Sequence, residues 1–201
     1  MKKNTKRILK YLIEFLIVAF GVYLGVYASE IQSKKKTKSE KEKSITYIIQ
    51  ELESNKKSLE ESIKYHESIK KEIDSVSKTL NTKDLFSTYI GNESFRHTKL
   101  KGWNGIKIAN LQDTSFEAAK ITGIIREFDL EFIQRLSKIY KHQVTYSKLG
   151  NSILTKMINL DSSTKVVDVV NAIELMTYDL CNYEKSILKA IEKMEIKDIE
   201  K

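Results

Sequence analysis

The 201-residue chain contains no proline. Nothing therefore fixes φ or removes a backbone donor inside an element, and long helices are free to run. The seven glycines are scattered. They never cluster as a phosphate-cradling turn, which excludes the familiar nucleotide-binding loops. The single cysteine, Cys181, excludes an intramolecular disulfide and argues against a zinc site built on thiolates. It falls at an apolar position of a helical pattern and reads as a small buried hydrophobe rather than a reactive thiol. Of the three histidines, His66, His97 and His142, none has ligand spacing with a carboxylate pair, so no metal site is expected. Neither H-E-x-x-H nor G-x-S-x-G occurs. Carboxylates such as Glu51, Glu53, Glu60 and Glu61 are interleaved with lysines and read as solvated helical pairs. No catalytic residue and no cofactor is expected, and the chain does not read as an enzyme.

What is present begins with one apolar run. Between Lys10 and Glu30 the only charge is Glu14. The 19 residues 11–29 approach the roughly 20 that a helix needs to cross a bilayer core. Tyr11 and Tyr27 lie near its ends, where amphipathic rings favour the headgroup level. A basic tail, residues 1–10, precedes the run with Lys2, Lys3, Lys6, Arg7 and Lys10. A basic juxtamembrane helix, residues 30–44, follows it with Lys34, Lys35, Lys36, Lys38, Lys41 and Lys43. The rival is a cleaved signal peptide ending at Val26-Tyr27-Ala28. The length of the run and the helical sequence beyond it favour a retained anchor.

Glu14, Val18, Gly21, Gly25 and Ala28 share one helical face. Glu14 reads either as an interfacial carboxylate paired with Lys10, or as a polar group on a seam where small residues let a second helix approach. The flanking charges are nearly balanced, so the positive-inside rule discriminates little. A short cationic tail is hard to translocate, which places the N-terminus in the cytoplasm and the remainder outside. Lys34, Lys35, Lys36 and Lys38 are then candidate contacts to lipid headgroups. They lack the interleaved aromatics of a nucleic-acid arm, and no nucleic acid is expected as partner.

Residues 45–201 read as a helical bundle domain. Ile45, Leu52, Leu59, His66, Ile73 and Leu80 repeat every seven residues, accompanied by Ile48, Asn55, Ser62, Ile69 and Val76. Asn55, Ser62 and His66 make the middle of that seam polar. They form either polar layers of a core or a groove for a ligand. Residues 81–112 hold three glycines and read as a long loop with one short helix at 83–90. Its largest side chain, Trp103, either caps the end of the bundle or anchors a partner. Thr114 to Glu117 forms a capping box. Asp129 caps a further helix, with Phe128 and Ile133 as its staple pair, running to about residue 158. Asn159 to Ser163 turns the chain into a last helix from Val166. The fold expected is all-α: an N-terminal transmembrane helix followed by an antiparallel bundle of three long helices plus a short one. In that geometry loop 81–112 lies at the far tip and the 159–163 turn faces the bilayer.

Two stretches, EFLIVAFGVYLGVYASEIQ with YIIQELESNKKSL behind it and TSFEAAKITGIIREFDLEFIQRLSKIY, resemble an uncharacterised family of small bacterial single-span membrane proteins of the Bacteroidota type. The resemblance implies membrane location and helical architecture, and carries no activity and no site residues. The function expected is that of a single-pass protein of the bacterial inner (cytoplasmic) membrane. It would act by protein–protein interaction, as a homodimer or with another membrane protein. The alternative is a membrane-tethered ligand-sensing bundle that signals through a partner.

Overall fold

The computed structural model describes the backbone of residues 2–199 and the side chains of residues 9–194. The side chains of Lys2, Lys3, Lys6 and Arg7 lie outside the described residues. Among the described residues the regular structure is helical. Helix α1, Lys2–Ser77, holds the whole apolar run and the heptad segment as far as Val76 without a break, and Leu80 lies past its end. At 1.5 Å per residue its 76 residues make a rod of about 114 Å. The apolar window of this helix is 0% buried against the rest of the chain. It is long and apolar enough to span a membrane. Burial begins further along, and Ile48, Leu52, Asn55, Leu59, Ser62, His66, Ile69 and Ile73 are all enclosed, on the seam that the sevenfold repeat marks.

A four-residue helix, α2 (Thr82–Leu85), follows under an Asn81–Asp84 capping box. The chain then turns through a short 3-10 segment at His97–Lys99 and runs back along α1 as an extended strap. Tyr65 Oη donates to the Gly105 carbonyl at 2.6 Å and Asn55 Nδ2 to that of Gln112 at 2.7 Å, and between them the Lys107 carbonyl lies 3.3 Å from Ser62 Oγ. Residues 105–115 thus accompany residues 65 to 51 of α1, some 14 helical residues or about 21 Å. Helix α3, Thr114–Ile121, and a 3-10 turn at Ile124–Glu127 then pack beside the lower part of the bundle segment of α1.

Helix α4, Leu130–Ile158, starts where expected. The Asp129 carboxylate accepts from the N–H groups of Glu131 and Phe132. Beyond the 159–165 turn come α5, Val166–Glu174, a single π turn, Leu175–Leu180, and α6, Cys181–Ile199. Tyr178 Oη donates to Asp74 at 2.9 Å, and Lys185 pairs with Glu67 at 2.7 Å. Helix α6 therefore runs antiparallel to α1.

The expected antiparallel order fails for α4. Tyr140 of α4 meets Glu51 of α1, while Tyr146, further along α4, meets Glu184 at the level of Ser62. Helices α1 and α4 are parallel. The reason is the strap: instead of capping the far tip, residues 103–113 carry the chain back to the start of the bundle before α4 begins. The 159–163 turn consequently lies at the same end as residues 87–89, where Tyr89 N–H donates to the Thr164 carbonyl at 2.8 Å and Val166 N–H to that of Ser87 at 3.1 Å. That is the end remote from the apolar run, not the end facing it. Helix α6 leads back toward the level where α1 enters the bundle.

Candidate functional site

The polar middle of the α1 seam is the most chemically distinctive place in the bundle. Asn55, Ser62 and His66 are all buried and each is engaged by the chain itself. Asn55 pairs twice with the backbone of Gln112, Nδ2 donating to its carbonyl and Oδ1 accepting from its N–H, both at 2.7 Å. That pair holds the strap to the helix as a strand edge would.

Ser62 and His66, one turn apart on α1, face Glu184 of α6. Glu184 is wholly enclosed. Its Oε1 accepts from Ser62 Oγ at 2.6 Å and from Tyr146 Oη at 2.8 Å, and its Oε2 lies 2.9 Å from His66 Nδ1. Tyr146 Oη in turn accepts from the Ala109 N–H of the strap at 2.6 Å. A carboxylate in a dry interior is costly unless its lone pairs are met, and here three side chains from two neighbouring helices meet them. Burial, reinforced by the Glu184 carboxylate, pushes the Tyr146 phenol far above its ordinary range. The hydroxyl therefore remains a donor at any physiological pH. Cys181 precedes Glu184 by three residues on the same helix and is buried and unpaired. Burial raises its thiol above the usual range, in keeping with the small buried hydrophobe read from the sequence.

A second buried carboxylate corrects the reading of Glu51 as solvated. It is 5% exposed, accepts from Tyr140 Oη at 2.6 Å and from the Ser115 N–H at 2.7 Å. The second bond also corrects the expected Thr114–Glu117 capping box. Helix α3 begins one residue after Asp113, which makes no side-chain cap, and an orphan N–H of its first turn is satisfied by a carboxylate from α1. Burial, with Glu51 adding to it, raises the Tyr140 phenol as well.

Glu184, Tyr146, Glu51 and Tyr140 escape the motif search because their partners are distant in sequence. One signal was present. The stripe of the last helix passes Leu180/Cys181 and resumes at Ile187/Leu188, and the position between them is Glu184. A charged residue filling a core position of a stripe asks for a buried partner.

The remaining expected residues are spread along the molecule. Glu14 lies 3.8 Å from Lys10, one turn before it on α1. A Cβ added at Gly21 or Gly25 would meet nothing within 4 Å, so nothing inside the chain requires those positions to be small. Ala28 shares their exposed face. Lys34 pairs with Glu30 at 2.6 Å and Lys36 with Glu40 at 3.9 Å, while Lys35 and Lys38 project from the same exposed helix. Trp103 is half-buried against the core, edge-on to His97 at 5.1 Å between ring centroids. His97 is hydrogen-bonded to Tyr89. This aromatic group closes the upper part of the bundle. Comparison of the chain with protein-family models, with curated proteins and with solved structures gives no match.

Proposed function

We propose that the protein is a single-pass component of a bacterial inner membrane that holds a helical bundle outside the cytoplasm and acts by association with other proteins. The observation that carries this reading is the exposed apolar segment of α1, 0% buried by its own chain and continuous with the helix that forms the bundle seam. A segment so apolar needs a non-aqueous surrounding. A helix without a break transmits any rotation or tilt of the anchor to the bundle. The face bearing Gly21, Gly25 and Ala28 suits a second transmembrane helix, because small residues there serve only a neighbour from outside the chain. Lys34, Lys35, Lys36 and Lys38 stand just past the span, at the height of anionic headgroups.

The ligand-sensing alternative draws less support. Its three residues, Asn55, Ser62 and His66, are buried and direct hydrogen bonds to Gln112 and Glu184 of the chain itself.

The test is crosslinking of the full-length chain in membranes. Gly21→Ile and Gly25→Ile are expected to reduce the crosslinked pair several-fold while leaving carbonate-resistant membrane association intact. Unchanged crosslinking would remove the pairing face. Release of the wild-type chain by carbonate would remove the anchor.

A further inference from the structure

We propose that His66, Cys181 and Glu184 form a buried binding site for a divalent transition metal, with zinc as the ion that fits them best. The three residues bring one imidazole nitrogen, one thiol sulfur and one carboxylate oxygen within 4.8 Å of one another, and all three are buried. A cysteine or a carboxylate alone would not point to an ion. The second observation is on His66: its Nε2 is buried and makes no hydrogen bond, while Nδ1 is held 2.9 Å from Glu184. Nε2 lies on the opposite edge of the ring from Glu184, so the cation takes Nδ1: it replaces the 2.9 Å contact, meets the lone pairs of Nδ1 and Oε2 together, and leaves the ring proton on Nε2.

The surroundings suit such a site. Cys181 and Glu184 stand three residues apart on one face of α6, the spacing by which helical bundles present paired ligands inward. The π turn Leu175–Leu180 ends at Cys181, and π turns recur at functional positions within helices. Ser62 and Tyr146 both donate to Glu184 Oε1. They fix the carboxylate in the way outer hydrogen bonds orient metal ligands.

The donor set decides the ion. Calcium and magnesium require a shell of oxygens, whereas one sulfur, one nitrogen and one oxygen suit zinc, leaving a fourth position for water. Bonds of about 2.0–2.3 Å around a tetrahedral ion bring ligand atoms within about 3.7 Å of one another. Closing the site from 4.8 Å thus takes about 1 Å of side-chain movement.

The experiment uses the full-length chain in detergent micelles, purified with a tag free of histidine. Zinc content is measured after dialysis; the metal is then removed with a chelator and cobalt is titrated into the metal-free protein as a spectroscopic probe. One zinc per chain is expected, and cobalt should give a thiolate-to-cobalt charge-transfer band that added zinc abolishes. Cys181→Ser, which removes the sulfur and none of the network's hydrogen bonds, is expected to abolish the band and weaken zinc binding at least tenfold. His66→Gln is expected to weaken binding similarly. Circular dichroism confirms that the variants are folded. Wild-type protein that retains no zinc and takes up no cobalt would overturn the proposal. So would Cys181→Ser protein that binds zinc as tightly as wild type.

Discussion

The hydroxyl of Tyr146 joins three elements: it donates to Glu184 on α6, accepts from Ala109 of the strap, and is itself carried by α4. Tyr146→Phe leaves the ring packing in place and strands the Ala109 N–H, while Glu184 loses one of its donors. The expected loss is about 2–3 kcal/mol of unfolding free energy, measurable by denaturant titration of the full chain in micelles. A loss under a few tenths would mean that water replaces the hydroxyl. His97 is the residue whose effect depends on pH. Burial holds its imidazole below the ordinary range, so the folded chain favours the neutral ring that meets Tyr89. Its stabilising contribution is complete above the unfolded value of about 6.5 and is lost as pH falls through the lower folded value. Wild type should therefore lose stability relative to His97→Gln as pH is lowered from 7.5 to 5. Emission from Trp103, the only tryptophan, should report the change because its ring meets His97 edge-on. Parallel stability curves would remove His97 as the cause. Neither residue was legible as a site in the sequence: a lone tyrosine or histidine reveals nothing until a partner 38 residues away or a stacking neighbour is known.

Among the elements, the helices were largely legible and the strap was not. Apolar positions every three to four residues identify α1, α4 and the α5–α6 run, because each must bury one face. The Asp129 cap fixes where α4 starts. The residues between α2 and α3 carry no such period. Their backbone is satisfied by scattered side chains instead, Tyr65, Asn55 and Tyr146 among them, and those partners come from other segments. The strap also explains Gly150. Helix α4 runs through Gly150 without a break, but Ile108 of the strap rests on it, and an added Cβ would sit 3.0–3.1 Å from three Ile108 side-chain atoms. Gly150→Leu should force the strap outward and destabilise the chain by about 1–3 kcal/mol. Restoring much of that loss with Ile108→Ala in the same chain would identify the strap as the site of conflict. No rescue would place the conflict elsewhere.

At the scale of the whole molecule, the strap decides which end of the bundle faces the anchor. Amphipathic periodicity gives each helix a buried face but no direction, and short-loop reasoning assumes that consecutive helices reverse. Here an extended segment of about ten residues intervenes, so α4 rises alongside α1 and α6 descends. The 159–163 turn then stands far from the apolar run, and residue 193 comes back toward it. From Val166 to Lys193 the helical rise is about 40 Å. Lys185 pairs with Glu67, so residue 193 stands near the level of residue 59 of α1, some 30 helical residues or about 45 Å past the apolar run. Fluorophores attached one at a time at Asp161→Cys and Lys193→Cys, in a Cys181→Ser background and in bilayers carrying long-range energy-transfer quenchers on the headgroups, should differ accordingly. The label at 193 is expected to be partly quenched and the label at 161 to be beyond reach. The opposite order would return α4 to the antiparallel arrangement and require the Tyr140–Glu51 and Tyr146–Glu184 bonds to be broken in solution. Equal exposure of both labels to the quencher would instead lay the bundle flat on the membrane, tilting α1 sharply somewhere between its apolar run and Ile48.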